Sequence, residues 1–108
     1  LGRVGGLTEA MRCARMAHER GVVCVPHAWK TGITVAATRH FAAAAPACPY
    51  TEFFHRDLFP SYLRSRLATP EPDFANGRWC LPEMPGMGIE LDEEVVAECL
   101  AATPAVIE

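Results

Sequence analysis

Apolar residues recur at helical spacing from the start of the chain: Leu7, Ala10, Met11, Ala14 and Ala17 share one stripe, with Arg12, Arg15, Glu19 and Arg20 mostly off it. That period predicts a helix over about residues 8–20, with Thr8 placed to cap its start after the flexible Gly5-Gly6 turn. Gly21 stands where a left-handed cap would stop it. The next run, Val22-Val23-Cys24-Val25, is β-branched and has no polar alternation, which predicts a short strand buried on both faces, as parallel strands are, ended by Pro26-His27. From Thr31 to Ala45 the helical period returns, with Ile33, Ala36, Ala37, Phe41 and Ala44 on one stripe and Pro46 as terminator. Pro49 to Phe54 then reads as a second strand on its aromatic and β-branched content.

The order α, β, α, β is that of a parallel α/β sheet, either open or closed into a barrel. Two strands cannot form such a sheet alone, and the helical stripes need more strands to cover. With Leu1 rather than methionine at its start, the chain is expected to be a piece of a larger protein. Beyond Leu58 the texture changes: Pro60, Pro70, Pro72, Pro82 and Pro85, with Gly77, Gly86 and Gly88, break any long element into an irregular tail. Within it Asn76-Gly77 predicts a tight turn, Arg78 to Leu81 a short strand, and Leu91 to Val95 the opening of a last helix capped by Asp92.

Composition narrows the class. The 108 residues are 50% hydrophobic and 21% charged with net charge −3, which describes a globular chain of at most one small domain. Charge is uneven: residues 1–66 carry nine Lys/Arg against four Asp/Glu, and residues 67–108 carry one against nine. The basic excess is spread along helix faces without interleaved aromatics, so no nucleic-acid surface is expected. No apolar run nears the ~20 residues of a membrane span, and no membrane partner is expected. The five cysteines are odd in number and lack C-x-x-C spacing. That argues against a disulfide framework and a zinc ribbon. Cys13 and Cys24 lie in apolar patterns as small core residues would, which suits a reducing cytoplasm.

The chemistry-bearing candidates lie at strand ends. His27 follows the first strand, at the edge of a parallel sheet where ligands bind, and Glu52 lies near the same end of the second. Position alone leaves each open to a structural or a catalytic role. His18, His40 and His55 are read as structural; no H-x-x-x-H pair is present, and Gly5-Gly6 without a G-x-G-x-x-G pattern is read as a turn.

The string Val4-Gly5-Gly6-Leu7-Thr8-Glu9-Ala10, then Val25-Pro26-His27, Trp29-Lys30-Thr31-Gly32-Ile33, Pro49-Tyr50-Thr51-Glu52, and the tail from Leu81 through Pro85-Gly86-Met87-Gly88 to Asp92 together resemble the C-terminal part of the enolase superfamily. The branch most similar is that of mandelate racemase and muconate lactonizing enzyme. The resemblance implies an α/β fold: residues 1–58 as the last β/α units of a modified TIM barrel, and residues 59–108 as an irregular tail that returns to the capping domain. It also implies that His27 is the acid/base histidine ending the seventh barrel strand and Glu52 the acidic residue ending the eighth. Trp29 and Lys30 would wall the pocket or meet a polyol or distal carboxylate. The implied cofactor is Mg2+, its ligands expected upstream, as are the lysine acid/base and an aspartate partner of His27, leaving no metal ligand in this segment. The implied partner is a small-molecule carboxylate, with a homo-oligomeric full-length protein. The implied chemistry is proton abstraction α to the carboxylate of a hydroxy or sugar acid, by a dehydratase first and a racemase or cycloisomerase second, with the segment alone inactive. The contrasting reading is a noncatalytic, truncated barrel relative.

Overall fold

The computed structural model describes residues 1–55, 57–58, 60–71 and 74–100. Pro72 and the last eight positions of the tail lie outside the described residues.

The first helix, α1 (Leu7–Glu19), begins one residue earlier than the pattern predicts, because Gly5 and Gly6 at φ 97° and 94° turn the chain directly into it. Gly6 is the N-cap and no side chain caps the helix, so Thr8 sits inside it. Its end follows the expected rule. Gly21 at φ 65° lets its own amide reach His18 and the Val22 amide reach the Ala17 carbonyl, closing a Schellman turn.

The extended segment after Gly21 differs from its expectation. Val22, Val23 and Val25 are 55%, 57% and 49% exposed, and only Cys24 of that run packs on the core, so the run is not buried on both faces. Its backbone does pair: the Cys24 amide bonds the Ala47 carbonyl and the Glu52 amide bonds the Pro26 carbonyl. The regular ladder lies further on, between β1 (His27–Ala28) and β2 (Glu52–Phe53), parallel, with His27 opposite Glu52. Pro26 and Pro49 have no amide to donate, which confines the ladder to the residues after them.

Between the strands runs α2 (Gly32–Ala44). Thr31 caps it, its hydroxyl accepting from the Thr34 amide, and Ala45 leaves the helix at ψ 128° because Pro46 disfavours α geometry in the residue before it. The buried face is Gly32, Val35, Ala36, Thr38, Arg39 and Phe41, whereas Ile33 and Ala44 of the predicted stripe are exposed. The tail accounts for the rotation. A Cβ on Gly32 would stand 3.1 Å from Ala68 Cβ, and the Arg39 guanidinium donates to the carbonyls of Cys80 and Met87. Phe41 meets Ala10 and Ala14 of α1 in the small apolar core, while Cys13, off that face, is exposed.

The tail holds α3 (Tyr62–Ser65), β3 (Ala68–Thr69), the hairpin β4 (Phe74–Ala75) and β5 (Arg78–Trp79), β6 (Glu90–Leu91) and α4 (Glu93–Cys99). Asn76 and Gly77 at φ 52° and 74° make the predicted tight turn. β3 pairs antiparallel with β6. Asp92 caps α4, accepting from the amides of Glu94 and Val95. Among the described residues no helix is long and apolar enough to cross a membrane.

Candidate active site

The ladder between β1 and β2 decides where the chemistry can lie. Directly opposed residues of a parallel pair present their side chains on the same face, so pairing His27 with Glu52 brings an imidazole beside a carboxyl. Their atoms meet: His27 Nδ1 stands 3.0 Å from Glu52 Oε2. Both side chains are about half exposed, at 55% and 53%. Solvent therefore screens the pair, and its weight is directional rather than energetic.

Trp29 lies against the His27 ring, centroids 4.3 Å apart and planes 28° from parallel, and is backed by Phe54 at 4.6 Å. A cleft of about 580 Å³ opens beside this stack, lined by Leu1, Gly2, Arg3, His27, Trp29, Lys30 and Thr34. The expected site residues are thus brought together, with Trp29 and Lys30 on the cleft wall and Glu52 behind His27. His18 and His55 stand apart from the cleft, and His40 bonds the Met87 carbonyl in the tail.

Two contributors escape the sequence reading. Arg3 brings a second cation to the cleft; its only signal is a basic residue just ahead of the Gly5-Gly6 turn. Arg64, 1% exposed, bonds the Phe54 carbonyl, pairs with Glu71 at 3.2 Å and places its guanidinium 4.7 Å from the Phe53 ring. It packs on Phe53 and Phe54, the two residues that follow Glu52. A lone arginine in the short run Tyr62-Leu63-Arg64-Ser65 gives no hint of such burial.

Among the described residues no group of three or more His, Cys, Asp or Glu side chains converges to hold a metal ion. The described residues therefore do not by themselves build a magnesium site.

The chain is similar to known proteins. The family model described as enolase C-terminal domain-like matches residues 1–95. The D-galactarolactone cycloisomerase of Agrobacterium fabrum is 34% identical over 87% of the chain and 26% of its own length. The L-rhamnonate dehydratase of Saccharopolyspora erythraea is 34% identical over 84% of the chain and 23% of its own length. A crystal structure described as that of a proposed racemase superposes with TM-score 0.79 at 42% identity, covering 87% of this chain and 25% of the other. The chain therefore spans about a quarter of the length of the curated relatives it matches. The match runs through both strand ends and the helix between them, and the chain belongs to the enolase C-terminal domain-like family, a TIM-barrel-type α/β fold, in the mandelate racemase and muconate lactonizing enzyme branch of the enolase superfamily.

Proposed function

We propose that this chain is the closing part of an enzyme that removes the proton α to the carboxylate of a hydroxy or sugar acid, with His27 as the proton-transfer group. The observation that carries the reading is the His27–Glu52 contact of 3.0 Å between directly paired residues of β1 and β2 beside the cleft. In the step, a ring nitrogen of His27 takes the α-proton and the C–H electron pair moves into the carboxyl group, giving an enediolate. Loss of the β-hydroxyl, protonated by His27 as it leaves as water, restores the carboxylate and completes a dehydration. Return of the proton to the opposite face would instead be a racemisation. Glu52 works with His27, and Trp29 and Lys30 wall the cleft, Lys30 offering its charge to a distal carboxylate. Members of the superfamily use magnesium, and its ligands would stand on other strands of the complete protein.

Residues 1–58 supply the last β/α units, and residues 59–108 form the tail that packs on the barrel and returns to a capping domain. The free thiols of all five cysteines suit a cytoplasmic enzyme, and the proposal extends to a homo-oligomer that acts on a small carboxylate and binds neither nucleic acid nor a membrane. Dehydration is favoured over cycloisomerisation because an imidazole can serve both as base to the α-proton and as acid to the hydroxyl. The cycloisomerase among the relatives supports the second reading. The test incubates the full-length protein in D2O with a panel of aldonic and aldaric acids and their lactones. Water loss with a 2-keto product supports the dehydratase. Deuterium incorporation or ring opening without water loss selects the racemase or cycloisomerase, and no exchange with any acid or lactone defeats the proposal.

A further inference from the structure

We propose that Cys24 and Cys48 form a redox-sensitive dithiol: opposed on the segments that lead into β1 and β2, they close to a disulfide by exchange with a low-molecular-weight disulfide such as oxidised glutathione, and thiol reductants reopen it. Backbone bonding sets the pair. In the regular ladder the Glu52 amide bonds the Pro26 carbonyl, and Glu52 stands opposite His27, the residue after Pro26. The Cys24 amide bonds the Ala47 carbonyl at 2.6 Å in the same manner, which puts Cys24 opposite Cys48, the residue after Ala47. Pro49 has no amide to return the bond to the Cys24 carbonyl, so the ladder is interrupted just beyond the pair. Neighbouring strands run about 4.8 Å apart, inside the roughly 4.4–6.8 Å between Cα atoms that a disulfide spans.

The side chains share a face as well as a register. Cys24 and Cys48 both pack against the cluster of Ala10, Ala14 and Phe41, and both are free and partly buried, whereas Cys13, Cys80 and Cys99 are exposed. Burial raises the Cys48 thiol and Cys24 adds to the shift, so each sulfur feels the charge of the other. Cys48 Sγ makes only a weak bond to the Tyr50 carbonyl at 3.4 Å, and little is lost when its proton leaves. In the exchange, the Cys24 thiolate attacks one sulfur of the small disulfide, whose S–S bond breaks and releases the first small thiolate. Cys48 then gives up its proton and attacks Cys24 Sγ, the mixed disulfide breaks, and the second small thiolate leaves. The two protein thiols are oxidised, the small disulfide is reduced to two thiols, and the protons lost by the cysteines end on those thiols. The bridge closes the chain around α2, three residues before His27 and four before Glu52. It ties the entries of β1 and β2 together.

The test incubates the folded full-length protein with oxidised glutathione, blocks the remaining thiols with N-ethylmaleimide, and digests it without reduction for mass spectrometry. A peptide pair joined through Cys24 and Cys48 should dominate the disulfides found and disappear after dithiothreitol. Cys48→Ser should instead hold glutathione on Cys24, because the second attack has no nucleophile. Hydrogen–deuterium exchange should be several-fold slower over residues 22–28 and 47–53 in the oxidised protein than in the reduced one, as expected where a cross-link opposes local opening. Cys24 and Cys48 recovered with N-ethylmaleimide or glutathione and no joined peptide would overturn the proposal. A Cys24–Cys48 peptide no more abundant than pairings with Cys13, Cys80 or Cys99 would overturn it too, by making the pairing random. Equal exchange in the two forms would overturn the tie between the strands. Should Cys48→Ser fail to fold, the unmodified protein decides, since the joined peptide and its removal by dithiothreitol need no variant.

Discussion

At Gly88 the backbone φ is 65°, and a Cβ built there would collide with the ring of Pro82. Both effects oppose any side chain, so Gly88→Ala should destabilise the tail by about 1–3 kcal/mol from the backbone term alone, with further loss from the rigid proline. A lowered melting temperature in the full-length protein checks it, and an unchanged one contradicts it. Cys48 offers a second test at this scale. Burial pushes its thiol above the ordinary value of 9.0, with nearby Cys24 adding to the shift. The folded state thus holds the proton more tightly, so this contribution to stability is complete below about pH 9.0 and is lost as pH rises through the raised value. Iodoacetamide at pH 8 should therefore modify Cys48 several-fold more slowly than the exposed Cys13; equal rates, read by mass spectrometry, would contradict the burial.

Caps and turns were the most legible elements because their signals are local. Gly21, Asn76-Gly77 and Asp92 each do what their residue type and position predict, and Thr31, read as the start of the helical pattern, caps α2 instead. The exception is Thr8, displaced as a cap by two glycines already turning the chain. Asp92→Ala should speed amide exchange at Glu94 and Val95 by roughly fivefold, the effect of losing about 1 kcal/mol of capping; unchanged exchange at both amides would contradict the cap. What the sequence concealed was non-local. The inward face of α2 is set by Ala68, Cys80 and Met87, far along the chain, so local periodicity could not choose Val35 and Arg39 over Ile33 and Ala44. His27 and Glu52 were legible as candidates because two strands in a parallel order must end on one edge. The Trp29 stack, the Arg3 wall and the Arg64 clamp were not, since each depends on tertiary contact.

For the molecule as a whole, the surface area of 7750 Å² exceeds the roughly 5900 Å² expected of a compact monomer of this mass. The radius of gyration, 15.0 Å, likewise exceeds the ~13 Å expected for this length. The excess includes Val22, Val23 and Val25, beside a core built on Ala10, Ala14 and Phe41. The isolated 108-residue chain should therefore show no cooperative thermal transition as a monomer and no turnover; a sharp transition with dispersed NMR signals would contradict this. The central claim is that His27 moves the substrate proton, and its most direct test is His27→Asn in the full-length protein, reading turnover, solvent-deuterium incorporation and magnesium affinity together. Turnover should fall by roughly a hundred- to ten-thousandfold, the loss typical of a positioned acid/base, with folding and metal affinity retained. Turnover close to that of the unmodified protein would contradict the assignment, and lost folding or metal binding would make His27 a structural residue.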